Sequence, residues 1–357
     1  MKYRTRRTGV IGIGLSLTAI ALSACSSSAE PTASVSDGSA VATPQELTFG
    51  YISPGPDTWY QRDVDGFKFA AEMYGVKVVE LNSQYDQQKE LENIQTLVGQ
   101  GVDGISMFSF NENGALMAAE AGNDAGIPVV LTDNVGAAIE AGASVAAAVD
   151  FDWCGMGEQY AQEMADKWPG EKFAVIAGNF EAPPTKMLDD CMIAKAEELG
   201  QNENVFLQQT GYDPQVAVNM VQSLIASGTE FGILFVMNDD MGAAVAQVLE
   251  QKGLADDVHM MTQNGSDVGV DMLNNGQIEY TISSSPGWEG MIAFLKLYQA
   301  ATGGLAADAN EQVQLPVMAI DANSDLTDKS VVVPWAPDDI YWSLTETYFP
   351  GLAPATE

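Results

Sequence analysis

The chain has a single histidine, His259, among 357 residues. A nucleophile triad or an imidazole-based metal site needs a richer supply, so both are disfavoured, and His259 reads as a structural residue at the entry to a strand. Basic residues are scarce too: 15 Lys and Arg face 49 Asp and Glu. Four of the 15 (Lys2, Arg4, Arg6, Arg7) stand at the extreme N-terminus, which leaves Arg62 as the only later arginine. So acidic a chain is repelled by nucleic acid and by anionic lipid surfaces, and it does not invite phosphorylated ligands. Long apolar runs are missing apart from Val10 to Leu22, which is short for a bilayer span but suits the core of a secretory signal. No internal repeat interrupts the pattern.

The basic start and the apolar run end in "LSAC", Leu22 to Cys25. This resembles the lipobox of bacterial lipoproteins, in which the chain is cut before the cysteine and the cysteine carries lipid. Ordinary secretion with cleavage near Ala24 is the alternative. Residues 1–24 then form a signal peptide, and 25–45, small, polar and dotted with proline, form a flexible tether. The protein is expected on the outer face of a membrane, anchored through Cys25 without spanning it. Cys154 and Cys191 remain, in a compartment where disulfides persist. They are expected to pair, the alternative being two buried free thiols.

From Leu47 onward, short apolar runs alternate with amphipathic stretches. "LTFGYIS", "VKVVEL", "GISMFS", "IPVVLTD" and "SVAAAVD" make one series; "KFAVIAG", "NVFLQQT", "GILFVMN", "VHMMTQN" and "IEYTISS" make a second. The stretches between them repeat apolar residues at three and four, as helices do. Short strands buried on both faces and alternating with helices predict parallel, doubly wound sheets. Two series, in a mature chain too long for one ordinary core, predict an α/β protein of two such lobes. After Ser284 a capped helix, "SSPGWEGMIAFLKLYQAATGG", does not simply extend the second series. One stretch is puzzling: "ISPGPDTWYQRDVDG" sets Trp59 and Tyr60 side by side in what reads as a loop, where exposed rings forgo their burial energy.

Three motifs are weak. Gly99, Gly101 and Gly104 spell G-x-G-x-x-G, but a helix precedes and a strand follows, the inverse of the dinucleotide arrangement, so they read as a helix-ending turn. "DANSDLTDKS", Asp321 to Ser330, begins with the oxygen spacing of a calcium loop but has Leu326 where glycine belongs and Val332 where the closing glutamate belongs. Asx-turns account for it better, so no metal and no cofactor is expected. Asp239 and Asp240 could be a carboxylate pair for hydrolysis, although two acids after a strand suit a helix start.

"SPGPDTWYQRDVDGFKFAAEMYG", "SQYDQQKELENIQTLVGQGVDGI" and "AGIPVVLTDN", then "DFDWCGMGEQYAQEMADKW", "FAVIAG", "YDPQVAVNMVQSLI", "FVMNDDMGAAVAQVL" and "NGQIEYTIS", stand in an order and spacing that resemble ribose-binding-type proteins. These are the type I substrate-binding proteins of ABC importers. The resemblance runs from about Leu47 past Ala301. It implies two lobes joined by three crossing segments, near Asp150–Asp152, Ser283–Ser285 and Asp321–Asn323. The lobes would be 46–150 with 285–320 and 151–284 with 321–345. A sugar would be clamped between them by hinge closure and delivered to an ABC permease, with no covalent chemistry and with the binding protein acting as a monomer.

The resemblance also implies a ligand set. Trp59 and Tyr60 fall where the family stacks rings on the sugar, and Asp57 where a polar residue binds hydroxyls. Asp133 and Asn134 stand where Asp-Arg is usual, Tyr212 at a second-lobe aromatic position, and Asn238 at a strand end. Asn264 replaces a usual Asp, Ser284 a Gln of ribose binders, and Lys186 lies in the region of a further cationic position. The alternative for each strand-end Asp or Asn is a helix cap. With the arginine forks gone, the implied ligand is a neutral pyranose, pentose or polyol and not an acid or a phosphate. A receptor for a signalling ligand (a furanosyl autoinducer or a nucleoside) and a secreted glycoside hydrolase are the competing readings.

Overall fold

The computed structural model describes residues 46–352 apart from 110, 134, 327–334, 336 and 337. The expected signal and tether, Cys25 and Asn134 therefore lie outside the described residues. The first series of elements is β1 (Thr48–Ser53), α1 (Thr58–Tyr74), β2 (Lys77–Asn82), α2 (Gln87–Gln100), β3 (Gly104–Phe108), α3 (Glu112–Ala125), β4 (Val129–Thr132), α4 (Val135–Glu140) and β5 (Ala147–Phe151). The second is α5 (Trp153–Lys167), β6 (Phe173–Ala177), α6 (Pro183–Leu199), β7 (Asn204–Gln209), α7 (Pro214–Ser227), β8 (Ile233–Val236), α8 (Asp239–Lys252), β9 (His259–Asn264), α9 (Asp267–Asn274) and β10 (Tyr280–Ser283). Then come α10 (Pro286–Ala301), β11 (Glu311–Leu315), β12 (Met318–Asp321) and α11 (Asp338–Tyr348).

Two six-stranded sheets result, ordered β11-β5-β4-β3-β1-β2 and β12-β10-β9-β8-β6-β7. All pairings are parallel except β12 against β10. The α/β, doubly wound expectation is borne out in both halves. In each sheet the strand order reverses beside the first strand, and in open α/β sheets ligands bind outside the strand ends at that switch point. Central strands such as β3, β4 and β8 are buried along their whole length, which is why their sequences are continuous apolar runs and not alternating ones.

The chain passes between sheets after β5, after β10, and between β11 and β12. The third passage lies at 316–317, ahead of the expected Asp321–Asn323, so residues 318–320 pair with the second sheet and not the first. Within "VQLPVMAID", Pro316 has no N–H for a ladder and separates β11 from β12. After the second passage α10 returns to the first sheet and packs along α1. Every residue from Pro286 to Leu297 is buried, the mark of a helix enclosed on all sides. Phe294 meets Phe49, Phe67 and Tyr74 at ring-centroid separations of 5.7, 5.4 and 5.5 Å. Among the described residues no helix is long and apolar enough to cross a membrane.

Smaller motifs fall into place. Gly101 closes α2 in the left-handed conformation (φ 66°) ahead of β3. Asp321 folds onto itself as an Asx-turn, its Oδ1 accepting from Asn323 N at 2.9 Å, while the stretch from Thr327 to Ser330 lies outside the described residues. His259 stacks on Trp168 at 4.5 Å and contacts Glu279. Cys154 and Cys191 form a disulfide joining α5 to α6, with Cα atoms 5.2 Å apart.

Candidate ligand-binding cleft

A cavity of about 420 Å³ opens where the C-terminal ends of the two sheets face each other. The turn after β1 supplies its first wall. Asp57 caps α1, its Oδ1 accepting from Trp59 N at 3.0 Å and Tyr60 N at 3.3 Å, so both rings leave from the first helical turn. They do not stand in a loop, and this corrects the sequence expectation. Tyr60 is buried, packed edge-on against Phe108 at 4.8 Å, while Trp59 is half-buried and edge-on to Phe108 and Phe151. One ring is thus part of the wall and the other faces the cavity.

Asp57 lines the cavity too, but its oxygens are largely committed, since Tyr85 Oη donates to Oδ2 at 2.8 Å. Asp133, at the end of β4, accepts from Trp153 Nε1 at 2.9 Å and holds a left-handed φ of 57°. From the second sheet, Tyr212 (φ 63°) covers Gly178, where a Cβ would lie 2.2 Å from its ring, and its hydroxyl lies 2.6 Å from Thr185 Oγ1. Asn238 lines the cavity and caps α8, its Oδ1 accepting from Met241 N at 2.8 Å. Asn264 sits at φ 111°, and its carbonyl accepts from Trp335 Nε1 at 3.1 Å. Four of the non-glycine residues with left-handed φ therefore line one cleft, a concentration of backbone strain that marks functional sites.

The structure brings together Asp57, Trp59, Tyr60, Asp133, Tyr212, Asn238 and Asn264. Lys186 is not among them: it is exposed and pairs with Asp190 one helical turn further along α6. Ser284 is fully buried behind the cleft, 3.4 Å from Gln263 Nε2. Neither position therefore reaches the cavity. Trp153 and Trp335 line it without having been singled out. Trp153 had a signal, an aromatic directly after the acidic first crossing. Trp335 had none, since it follows a stretch with no period.

Among the described residues no lysine, arginine or histidine lines the cavity, while aspartates do. Asp239 is spent on structure: it accepts from Thr262 Oγ1 at 2.6 Å and from Ser266 N and Oγ at 2.7 Å, tying α8 to β9 and α9. Asp240 is exposed at the rim. The carboxylate pair of the hydrolase reading is thereby divided between a buried clasp and the solvent.

Burial raises several carboxyls. It pushes Asp150 and Asp239 up to about 6, Glu90 up to about 7 and Asp63 up to about 8, hydrogen bonds partly opposing it in each. A carboxyl raised in the folded state binds more protons folded than unfolded. Its contribution is complete below the unfolded value near 4 and is lost as pH rises through the folded value. Thermal melts are therefore expected to show Tm falling steadily from pH 5.5 to pH 8.5. A Tm that rises over that interval would contradict this account.

Comparison with known proteins places this geometry. The ribose import binding protein of Bacillus subtilis is 23% identical over 79% of this chain and 90% of its own length. A solute-binding protein of an ABC transporter from Bacillus halodurans, solved with myo-inositol, superposes with a TM-score of 0.71 at 20% identity, covering 78% of this chain and 95% of the other. One from Burkholderia graminis, solved with D-arabinose, gives 0.70 at 18% identity over 77% and 95%. Such proteins are non-catalytic binding components, which overturns the hydrolase reading. Residues 49–305 match the family model described as a periplasmic binding protein domain, and this protein belongs to that family.

Proposed function

We propose that the protein captures a neutral monosaccharide or polyol in the cleft and delivers it to the permease of an ABC importer. The observation that carries this reading is the cavity itself: about 420 Å³, walled by aromatic rings, furnished with Asp and Asn, and without a basic side chain among its described lining residues. Sugars present C–H faces that stack on rings and hydroxyls that pair with carboxylates and amides. Among the described residues an acid or phosphate ligand would meet no countercharge there. The relatives' ribose, inositol and arabinose ligands support the same class.

Capture works by population shift. A ligand biases the protein toward closure only if both halves hold it, so Trp59 and Asp133 on one side need Tyr212 and Asn238 on the other. We read residues 46–150 with 285–315 as one lobe and 151–284 with 318–326 as the other, hinged at the three passages; α11, expected in the second lobe, instead packs on α1 and α10 of the first, Trp342 on Met73 and Thr345 on Trp288. We also read the protein as a monomer anchored through lipid on Cys25, a reading that rests on the "LSAC" stretch and the basic, apolar start before it.

Titration calorimetry against pentoses, hexoses and polyols tests the ligand class; a panel silent at millimolar concentration would end it. Trp59→Ala is expected to weaken the tightest member at least tenfold, about 1.4 kcal/mol, because the half-exposed ring is the one the ligand covers. Unchanged affinity would make Trp59 a wall residue like Tyr60.

A further inference from the structure

Behind the cleft, four carboxyl groups from separate elements meet in the interior. Asp63 comes from α1, Asp133 from the end of β4, Asp150 from β5 beside the first passage, and Glu289 from the first turn of α10 just past the second. Asp63 and Glu289 are 0% exposed and Asp133 3%. Trp153 Nε1 donates to both Asp133 Oδ1 and Asp150 Oδ1, each at 2.9 Å, and the Tyr51 hydroxyl donates to Asp63. Asp63 Oδ1, Asp133 Oδ2 and both oxygens of Glu289 are buried and accept no hydrogen bond from any described N–H or from a hydroxyl.

Buried oxygens without donors are costly, and carboxylates crowded together cannot all be ionised. Protons held between the carboxyls answer both demands at once, because a protonated carboxyl donates to its neighbour. Acting on the four are Tyr51 from β1, Trp153 from α5, the Phe151 N–H, which donates to Asp150 Oδ1 at 2.7 Å, Asp152 beside the first passage, Tyr60 and Tyr212 on the side of Asp133, and one another. Arg62, next to Asp63 in the chain, sets its guanidinium over the Tyr341 ring of α11 at 5.5 Å, beside Gly287.

We propose that the Asp63–Asp133–Asp150–Glu289 cluster is a proton-binding site coupled to ligand capture, so that the ligand is held while the cluster keeps its protons and let go as rising pH removes them. The coupling rests on the cleft's reading as a ligand site, since Asp133 belongs to both. A ligand seated in the cleft displaces the water that would stabilise charge on Asp133, so the loaded protein binds protons more tightly than the empty one. By linkage, protons then favour the ligand by the same factor. Asp150 and Glu289 stand beside two of the three passages, where charge repulsion between them would act on the hinge. Burial raises all four carboxyls, Asp150 to about 6 and Asp63 to about 8, with Asp133 and Glu289 held well above the ordinary carboxyl range by burial and by their acidic neighbours.

Titration calorimetry with D-ribose, D-arabinose and myo-inositol as probes, run in two buffers of unlike ionisation heat, tests the coupling. Proton uptake on binding is expected, with affinity at least tenfold weaker at pH 8.5 than at pH 6.0. Glu289→Gln, outside the cleft, is expected to bind normally at pH 6.0 and to lose at least half of the pH dependence. No proton exchange together with equal affinity at both pH values overturns the proposal; should the variant fail to fold, this wild-type measurement decides alone. If none of the three probes binds, the tightest member of the full pentose, hexose and polyol panel takes their place, and if the whole panel is silent it is the ligand reading that fails. Infrared titration of the ligand-free protein then decides the cluster. A protonated-carboxyl band persisting at pH 7 and gone by pH 9 supports the proton site, and its absence at pH 7 removes it.

Discussion

Replacing Cys154 and Cys191 with alanine should cost the folded protein about 3–4 kcal/mol, by the loop-entropy estimate for a sequence separation of 37. The bridge closes that loop in the unfolded chain and so removes conformations that folding would otherwise have to exclude. It also joins two helices that serve the cleft. α5 begins with Trp153, whose indole N–H holds Asp133 and Asp150, and α6 begins beside Ala182 and Pro184, which line the cavity. The helices already touch closely, for a Cβ on Gly157 would lie 2.2 Å from Leu188 O. The double variant is therefore expected to fold and bind its ligand at low temperature while unfolding at lower denaturant. Denaturation curves differing by less than 1 kcal/mol would place the bridge outside the stability of the domain.

Gly66→Ala is the second large effect, expected to destabilise by about 3 kcal/mol, the upper end for overpacking. Alanine is the better helix former by up to about 1 kcal/mol, so helix propensity alone predicts the opposite sign. Packing decides, because a Cβ on Gly66 would lie 1.8 Å from the backbone oxygen of Gly287. Gly290 faces Asp63 O in the same way, at 1.9 Å. Backbone cannot rotate aside as a side chain can, so α1 and α10 would have to part. That movement would carry Trp59 and Tyr60, at the start of α1, away from the cleft. Gly99→Ala is the control: Gly99 lies within α2 with nothing within 4 Å of its added Cβ, and stability there should hold or rise. Equal outcomes at Gly66 and Gly99 would refute close packing of α1 on α10.

Much of this architecture is legible in the chain because it is local or periodic. Strands such as β3 and β8 are apolar runs of a length suited to a buried sheet, and Asp213 followed by Pro214 announces the start of α7. The order of those blocks carried the resemblance, and the resemblance carried the positions of Trp59, Asp133, Tyr212, Asn238 and Asn264. Less legible were features that depend on what lies across the fold. Tyr60 could not be told from Trp59 until Phe108 was seen to cover it. Lys186, from a region two residues longer than the family pattern, and Ser284 came from the same resemblance, yet one points along its own helix to solvent and the other lies behind the wall.

The sequence by itself determined the class: two doubly wound series and blocks in the order of a binding-protein family, with a single arginine after the N-terminus, since periodicity, composition and motif order survive without coordinates. Only the tertiary structure decided how the acids are used. Asp57, Asp133, Asp239 and Asp240 are alike as letters, yet one caps a helix, one shares a buried cluster, one clasps three elements and one meets solvent. A carboxyl's role is set by which donors surround it and how much water reaches it. Those neighbours come from strands and helices distant in the chain, so nothing within a short stretch of sequence encodes them.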